Sequence, residues 1–442
     1  MIWSRYNILF EREGVYLFYN SLSNAFAELP EETYCLLTRC KAGEEFSVSN
    51  ETLKDNLKRM KAIVNSDDEE ILETKYRLML HRFDNQLISL TINPTLGCNF
   101  ACPYCFEKNH RNVFMTDEVE DGIVEFIRRK TEAKKIDITW FGGEPLLAFQ
   151  RIISLTHKLQ SLGLKYNAGM ITNGYLLDAP IIIKLKELAI RKIQITVDGL
   201  EEEHNRRRYL KNGKPTFDRI VKNISLLDKL APDIRVNIRV NIDSDNMNNF
   251  VHIFDYFYQK HYTNIVVTPG FVEDQAGDNN CAFNSEKKFS FLTDLFQKYG
   301  IDFNSFYPSY GVSECSIRNS NVMVIGPEGE IYKCWNDVGR QDRIIGDVWG
   351  KISNKKLLLQ YLIGADLYDD PQCKECILLP VCSGGCPYKR IMWQAGEIDR
   401  KEVCPIMNLD IKTHLWLHYL SKKSISPLQK VIRLKARDVN IF

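Results

Sequence analysis

Hydrophobic and polar positions between residues 91 and 310 alternate between two patterns, and each pattern recurs several times. Short β-branched or apolar runs predict six strands, and amphipathic stretches of helical period predict six helices. The predicted strands are Leu87–Asn93, Ile136–Phe141, Tyr166–Thr172, Lys192–Val197, Ile234–Ile242 and Asn264–Thr268. The predicted helices are Asp117–Arg129, Phe149–Leu162, Ala179–Ala189, Phe217–Leu230, Asn246–Lys260 and Glu286–Tyr299. Successive βα units predict an α/β fold with a parallel sheet, and six units favour a partial (βα)6 TIM barrel over a closed one.

The segments on either side of this array follow other patterns. Residues 1–88 predict a small N-terminal α+β domain, which is either a structural cap or a winged-helix-like peptide reader. Residues 311–420 hold few regular patterns and many cysteines, so we expect metal to supply much of their stability. Residues 421–442 predict a solvated or partly docked tail, and residues 89–310 form the predicted barrel. In the N-terminal domain we expect a strand at Val15–Tyr19 and helices at Glu31–Arg39, Glu51–Val64 and Asp67–Leu80.

Composition limits the classes of function. The chain has 442 residues, 44% of them hydrophobic and 26% charged, which is typical of a globular protein with a sizeable core. The net charge of +1 gives no long-range field that would attract nucleic acid or an anionic membrane, so we expect neither as a partner. The sequence starts without an apolar signal segment and contains no apolar run of membrane-spanning length, which predicts a cytoplasmic protein.

The 13 cysteines are unevenly distributed, and this changes the picture. Three lie within residues 98–105 and seven between residues 315 and 404, while Cys35 and Cys40 are most simply interpreted as buried small apolar residues. Because a reducing compartment disfavours disulfides, grouped cysteines there indicate metal binding or catalysis. The sequence therefore predicts two metal-binding regions.

The first group, Cys98-x3-Cys102-x2-Cys105, follows the first predicted strand directly, at the end of the sheet where such folds carry their chemistry. Three thiolates can hold three irons of a [4Fe–4S] cube and leave the fourth iron open to a chelating ligand. The alternative is a structural zinc site, which needs a fourth ligand such as His110.

The run CNFACPYC resembles the signature of the radical S-adenosylmethionine (SAM) superfamily, whose cysteine loop follows the first strand of a partial barrel. The resemblance implies that the amine and carboxylate of SAM chelate the open iron, and that reductive cleavage then yields a 5′-deoxyadenosyl radical that abstracts a substrate hydrogen. It also implies that Tyr104 lies near the adenine, and that a flavodoxin or ferredoxin donates the electron.

Further motifs carry this resemblance along the barrel. Gly142-Gly143-Glu144-Pro145 resembles the motif that accepts hydrogen bonds from the SAM ammonium, and Thr172-Asn173 resembles a segment near its ribose and methionine. Asp198, followed by His204 and Arg208, resembles a segment whose arginine pairs with the SAM carboxylate; alternatively, Arg206, Arg207 and Arg208 form a solvated basic run. Arg239 and Asn241 alternate with Ile238 and Val240 on the fifth strand, so either could face the cofactor.

The second group resembles the SPASM extension of radical SAM proteins, which binds two auxiliary [4Fe–4S] clusters and brings the expected total to three. By this resemblance the outer cluster is held by Cys373, Cys376, Cys382 and Cys404, and the inner cluster by Cys315, Cys334 and Cys386. The alternative is a pair of zinc ribbons, since C-x2-C pairs also suit zinc.

Some SPASM enzymes have one more inner ligand six positions after the first, where this chain has Asn321. An open inner iron would follow, unless Cys281 closes the site. Anaerobic sulfatase-maturating enzymes also carry an aspartate directly after the second inner cysteine, and Trp335 stands there instead. Asp337 and Glu314, both close in sequence to inner-cluster cysteines, are the candidates for a catalytic base.

These motifs predict a maturase that installs a crosslink (a thioether, a C–C bond or another ring) in a ribosomally made precursor peptide. The N-terminal domain loosely resembles the recognition domain of such enzymes, which binds a leader peptide as an added strand. One alternative is formylglycine formation in a sulfatase. The other is a zinc-bearing scaffold without catalytic activity that binds peptide or nucleic acid.

Overall fold

The computed structural model describes residues 1–43, 51–105, 107, 111–272, 283, 285–303, 306–308, 314–382, 384–404, 410–423 and 432–433. The chain divides into two compact units, each assembled from separate stretches of sequence. The first unit comprises residues 1–83, 305–319 and 360–425, and the second comprises residues 84–304, 320–359 and 426–442. The domain limits that we derived from the sequence remain predictions.

The strands of the first unit are β1 Ile2–Trp3, β2 Asn7–Arg12, β3 Val15–Asn20, β4 Ala25–Leu29 and β5 Ile63–Val64, and those of the second are β6 Leu87–Ile92, β7 Lys135–Trp140, β8 Lys165–Thr172, β9 Ile190–Thr196, β10 Arg235–Ile242, β11 Ile265–Phe271, β12 Ile301–Asp302, β13 Val322–Ile325, β14 Glu330–Tyr332, β15 Gly346–Asp347 and β16 Ile432–Arg433. The helices are α1 Glu31–Lys41, α2 Glu51–Arg59, α3 Asp67–Arg82, α4 Asp117–Arg128, α5 Phe149–Gln160, α6 Ala179–Glu187, α7 Glu201–Arg207, α8 Phe217–Leu230, α9 Phe250–Tyr258, α10 Ser285–Tyr299, α11 Lys355–Leu359, α12 Pro371–Lys374, α13 Pro387–Gln394 and α14 Ile411–Lys423.

The second unit contains the predicted α/β fold. Its main sheet has the order β11-β10-β9-β8-β7-β6-β13-β14-β15, and the six strands from β6 to β11 are parallel to their neighbours. Helices α4, α5, α6, α8, α9 and α10 alternate with these strands along the chain, as predicted. Within the described residues β11 and β15 are the edges of the sheet, so the six-stranded array is open. The fold class is therefore confirmed.

The sheet extends beyond the six predicted strands. Strand β13 pairs in parallel with β6, and β14 and β15 follow as antiparallel neighbours. Short helix α7 was also not predicted. The ends of the long helices follow ordinary capping rules, since the side chains of Thr116 and Asp178 accept hydrogen bonds from the first turns of α4 and α6.

The first unit contains a three-stranded antiparallel sheet with the order β2-β3-β4. Side chains alternate between its two faces, so Ile8 and Leu17 pack with Trp416 of α14 while Leu9 and Phe18 pack with Leu37 of α1. Strand β3 was predicted, whereas β2, β4 and helix α14 were not.

Two smaller predictions for this unit were wrong. The predicted helix Glu51–Val64 ends at Arg59, because Ile63 and Val64 form the short strand β5 opposite β1. Cys35 is exposed on α1, whereas Cys40 is buried as expected. Among the described residues, no helix is both long and apolar enough to span a membrane.

Candidate active site

The loop that follows β6 carries Cys98, Cys102 and Cys105, and hydrogen bonds to its backbone fix its path. The hydroxyl of Thr95 donates to the carbonyl of Val113 at 2.7 Å and accepts from the amide of Gly97 at 2.9 Å. The amide of Cys105 donates to the carbonyl of Cys102 at 3.2 Å. The loop is therefore held in place at the carboxyl end of β6, where parallel α/β folds place their chemistry.

The three thiols lie close enough to influence one another electrostatically. Burial, together with negative charge on neighbouring thiols, raises the pKa of Cys98 to about 12 and that of Cys105 to about 11. Burial likewise raises the pKa of Cys102. Since metal ligands must be deprotonated, desolvated and mutually repelling thiols suit a group that supplies positive charge, such as the irons of a cluster.

No three His, Cys, Asp or Glu side chains among the described residues are arranged to ligate one metal ion. A [4Fe–4S] cube binds each thiolate through a different iron, so its ligands do not need to converge on one point. His110, the fourth ligand in the zinc alternative, lies outside the described residues, as does Cys281.

The turn Gly142-Gly143 packs directly against the cysteine loop. A Cβ atom on Gly142, whose φ is +105°, would lie 2.3 Å from the carbonyl oxygen of Thr95, and one on Gly143 would lie 2.3 Å from that of Gly97. The amide of Glu144 donates to the carbonyl of Gly97 at 2.8 Å. Both positions therefore require glycine, because any side chain would push the two loops apart.

Glu144 is fully buried and connects this turn to the end of β8. Its carboxylate accepts hydrogen bonds from the hydroxyl of Thr172 at 2.7 Å, the amide of Asn173 at 2.8 Å and the amide of Leu146 at 3.0 Å. Burial raises the pKa of Glu144, and these donors oppose the rise. Pro145, also buried, begins the short helical turn Pro145–Ala148.

A second cluster of polar groups surrounds Tyr104. The hydroxyl of Tyr104 donates to the Asp198 carboxylate. It accepts from the Arg208 guanidinium at 2.6 Å and from the side-chain amide of Asn241 at 3.3 Å. The backbone amide of Asn241 donates to the Asp198 carboxylate at 3.3 Å. The structure therefore brings together four of the residues predicted from separate motifs. Arg239, predicted beside them, donates to the side-chain oxygen of Asn241 at 2.9 Å.

The basic run on and after α7 is only partly solvated. Arg206 is 62% exposed and pairs with Glu203, whereas the Arg207 side chain is 9% exposed. Arg207 donates to Asp243 at 2.8 Å and to Asp198 at 3.4 Å. Arg207 was considered only as part of a solvated run and Asp243 was not predicted, because their pairing depends on contacts between distant segments.

One more link went unpredicted, although it lies within the motif. The side-chain amide of Asn173 donates to the side-chain oxygen of Asn99 at 2.7 Å. Asn99 follows Cys98 directly, so its position in the cysteine run was the available signal. This contact connects the end of β8 to the cysteine loop, which also packs against the glycine turn.

The four cysteines of the predicted outer set all lie in the first unit. Burial, together with negative charge on Cys376, Cys404 and Cys373, raises the pKa of Cys382 to about 11. Each of the other three thiols is thus close enough to Cys382 to influence it. Four thiols grouped in this way suit a metal cluster.

The predicted inner set is distributed over both units, with Cys315 and Cys386 in the first and Cys334 in the second. Burial raises the pKa of Cys315, and a negative charge on Cys386 adds to the rise. The set as a whole stays a prediction from the sequence.

The two candidates for a catalytic base are both buried carboxylates. Both oxygens of Glu314 accept hydrogen bonds from Arg82 in the first unit, at 2.5 and 2.6 Å. Asp337, in the second unit, is fully buried, and one of its oxygens lies 3.9 Å from Arg343. Trp335 stacks on Phe141 and donates from its ring to Thr91 at 3.1 Å. A catalytic role for either carboxylate stays a prediction.

Part of this chain matches a known protein family, and most or all of it is similar to two known enzymes. Residues 92–257 match the radical SAM superfamily. The cysteine-type anaerobic sulfatase-maturating enzyme of Clostridium perfringens strain 13 is 25% identical over 72% of this chain and 93% of its own length. The radical SAM cyclopropyl synthase TigE of Paramaledivibacter caminithermalis is 23% identical, and the match covers 100% of this chain and 97% of TigE.

Two solved structures share the fold. The structure of anSMEcpe with bound AdoMet and Cp18Cys peptide superposes with a TM-score of 0.60 at 21% identity, covering 76% of this chain and 99% of anSMEcpe. The structure of Streptococcus suis SuiB bound to S-adenosylmethionine superposes with a TM-score of 0.52 at 17% identity, covering 91% of this chain and 100% of SuiB.

Proposed function

Because this chain carries a radical SAM domain, we propose that it is a maturase that installs a crosslink in a ribosomally made precursor peptide. The crosslink is a thioether, a C–C bond or another ring. The observation that carries the proposal is the match to the cyclopropyl synthase TigE, which extends over the whole chain and thus includes the N-terminal residues outside the radical SAM domain. A structure of SuiB bound to its precursor peptide SuiA, which covers 91% of this chain, supports a peptide as substrate.

SAM bound at the cluster would supply the chemistry, a 5′-deoxyadenosyl radical for abstracting a substrate hydrogen. Cys98, Cys102 and Cys105 hold three irons in this proposal, and the rim formed by the glycine turn and Thr172-Asn173 receives the amino-acid part of SAM. Arg208 supplies the positive charge for its carboxylate, and the hydroxyl of Tyr104 holds that guanidinium in position at 2.6 Å. The buried carboxylate of Glu144 keeps the glycine turn in place through its three hydrogen bonds.

The edge strand β4 of the first unit is the proposed binding site for the leader peptide. In the described sheet β2 and β4 are the two edges. The first four residues of β2, Asn7 to Phe10, are buried, whereas Ala25 to Ala27 of β4 are half-buried and Glu28 is exposed. An extended peptide can therefore reach β4 more easily, and main-chain hydrogen bonds would hold it there as a fourth strand.

A second candidate function is formylglycine formation in a sulfatase, which the 25% identity to the anaerobic sulfatase-maturating enzyme of Clostridium perfringens favours. The packing of Trp335 against Phe141 weighs against it, because an indole stands where those enzymes are expected to carry an aspartate. A flavodoxin or ferredoxin as electron donor and a cytoplasmic location complete the proposal.

The class of the enzyme is tested by anaerobic purification with iron and sulfide analysis. We expect about 12 irons per chain for three clusters, and release of 5′-deoxyadenosine when SAM and dithionite are added. Cys98→Ala is expected to abolish that release and to remove the irons of one cluster. Cys35→Ala is the matched control, because Cys35 is an exposed cysteine outside the predicted ligand sets. Zinc in place of iron would reject the enzyme assignment.

The substrate is tested by co-expression with a short open reading frame beside this gene. Mass spectrometry of the peptide is expected to show the loss of two hydrogens for each crosslink. Binding of the same peptide is expected to slow hydrogen exchange at the amides of Ala25–Leu29 but not at those of β2. A sulfatase peptide converted to formylglycine, together with an unmodified precursor, would favour the second candidate instead.

A further inference from the structure

Two arginines and one aspartate surround Cys373, a predicted ligand of the outer cluster. Arg390 donates from Nη1 to the Asp370 carboxylate at 2.8 Å and from Nη2 to the sulfur of Cys373 at 3.7 Å. Its Nε and Nη2 also donate to the carbonyl of Gly384, at 3.3 and 3.0 Å. The side chains of Arg390 and Asp370 are only 3% and 4% exposed, so this ion pair lies in the interior of the first unit.

Arg400 reaches the same sulfur from another segment of the chain. Its two terminal nitrogens donate to the two oxygens of Asp370 at 2.6 and 2.9 Å, which is the bidentate geometry that a guanidinium favours. Nη2 also donates to the sulfur of Cys373 at 3.7 Å. The guanidinium lies over the ring of Trp393, 4.8 Å from its centroid, which fixes its plane.

Asp370 holds both donors and the cysteine in one arrangement. Besides the two arginines, its Oδ1 accepts from the backbone amides of Gln372 at 3.0 Å and Cys373 at 3.3 Å, and so it caps the short helix α12. One carboxylate thus fixes the position of the thiol and the direction of both guanidinium groups. Because two cations share a single anion, this group of side chains carries a surplus positive charge next to the sulfur.

Other predicted ligands receive weaker donors. The sulfur of Cys98 accepts from the backbone amide of Phe100 at 3.4 Å, and that of Cys382 from the amide of Gly384 at 3.3 Å. Both of these donors are neutral. Burying an arginine is costly unless a function or a counter-charge compensates, and a cube held by four thiolates carries a negative charge that increases on reduction.

We propose that Arg390 and Arg400, oriented by Asp370, are positioning residues that raise the reduction potential of a [4Fe–4S] cluster held by Cys373, Cys376, Cys382 and Cys404. The inference rests on the proposed function, which supplies the cluster. Charge-assisted hydrogen bonds to a ligand sulfur stabilise the reduced cluster more than the oxidised one, because the reduced cluster carries one more electron. The cluster therefore accepts an electron more readily than it would with neutral donors alone.

The test is a redox titration of the full-length, anaerobically purified protein with dithionite, followed by electron paramagnetic resonance. The transition that disappears in Cys376→Ala identifies the outer cluster. Arg400→Met removes the donors while keeping an apolar stem over Trp393, and Arg400→Lys keeps the charge without the fork. Lys401→Met is the matched control, because Lys401 is 67% exposed and pairs with Asp399.

Arg400→Met is expected to lower the equilibrium constant for one-electron reduction of the outer cluster about tenfold, or ~59 mV, and Arg400→Lys by less. Lys401→Met should leave the potential within error of the unsubstituted protein. A full iron content with an unchanged potential in Arg400→Met would overturn this inference alone. If Arg400→Met loses the outer cluster, Arg400→Lys decides: a lowered potential supports the inference, and an unchanged one overturns it. Zinc in all of these proteins would overturn the proposed function as well.

Discussion

Replacing Arg82 with methionine should destabilise the first unit severely. Arg82 is fully buried at the end of α3 and donates to both oxygens of Glu314 and to Asp366 at 2.5 Å. The side chains of Glu314 and Asp366 are 2% and 1% exposed. Methionine fills similar space but leaves two carboxylates in the interior without their main cation. Breaking a buried pair from one side costs about 3–5 kcal/mol, and here two carboxylates lose a partner at once.

The assay is urea unfolding of the anaerobically purified protein, followed by tryptophan fluorescence. Arg77→Met is the matched control, because Arg77 lies on the same helix, is 62% exposed and pairs with Glu73. The loss for a surface pair of this kind is at most about 1 kcal/mol. Glu314→Gln added to Arg82→Met should recover part of the loss, since it removes one of the uncompensated charges.

This experiment also bears on Glu314 as the predicted catalytic base. If its carboxylate serves mainly to bind Arg82, Glu314→Gln lowers the free energy of unfolding, and the residual folded protein still forms product. A free-energy loss in Arg82→Met no larger than that in Arg77→Met would refute the reasoning. Normal stability with complete loss of product in Glu314→Gln would instead support the catalytic role.

Three further predictions concern the second unit. Burial lowers the pKa of His204 from 6.5 to about 3, so the unfolded chain takes up a proton that the folded protein excludes. The free energy of unfolding should therefore fall by up to about 1.4 kcal/mol per pH unit as the pH drops from 6.5 towards 3. A His204→Gln protein with the same slope in urea titrations would contradict this. Tyr104→Phe removes the hydroxyl that binds Arg208. It should weaken SAM binding about tenfold in equilibrium dialysis, at unchanged iron content. Equal affinity would argue against the proposed SAM site. Gly142→Ala places a Cβ atom 2.3 Å from the carbonyl oxygen of Thr95. It should lower both the thermal stability and the iron content. Normal values of both would show that the glycine turn and the cysteine loop can separate without loss.

The sequence predicted the elements with a strong period and missed those without one. All six barrel strands were placed within three residues at each end, because their apolar runs are bounded by turn residues and amphipathic helices. Strand β2 was missed because Asn7 to Phe10 are all buried, so both faces are covered and no alternation shows. Helix α7 was missed because Glu201–Arg207 contains no apolar residue, and its buried positions are His204 and Arg207.

The candidate site was predictable where one short motif carries it and unpredictable where distant segments meet. The grouping of the cysteines was available from their spacing, and the glycine turn from its resemblance to a family motif. Glu144 binds Thr172 at the end of β8 and Asn173 directly after it, and Arg207 binds two carboxylates. These pairings depend on how the strands align. Periodicity also carries no information on which stretches assemble together, so it could not show that residues 360–425 belong to the same unit as residues 1–83.

The thiols of Cys102 and Cys373 differ in the charged side chains around them. Near Cys102, the cations Arg208 and Arg207 lower the pKa of the thiol and Asp198 raises it. A second anion, Asp243, accepts from Arg207 at 2.8 Å, so two cations there face two anions. Around Cys373, two arginines share a single aspartate, so positive charge is in excess. A negatively charged cluster gains more from the second environment than from the first, and the gain increases when an electron is added. In the proposed enzyme, the arrangement of surrounding charges, rather than the cysteine spacing, would therefore determine how readily each cluster is reduced.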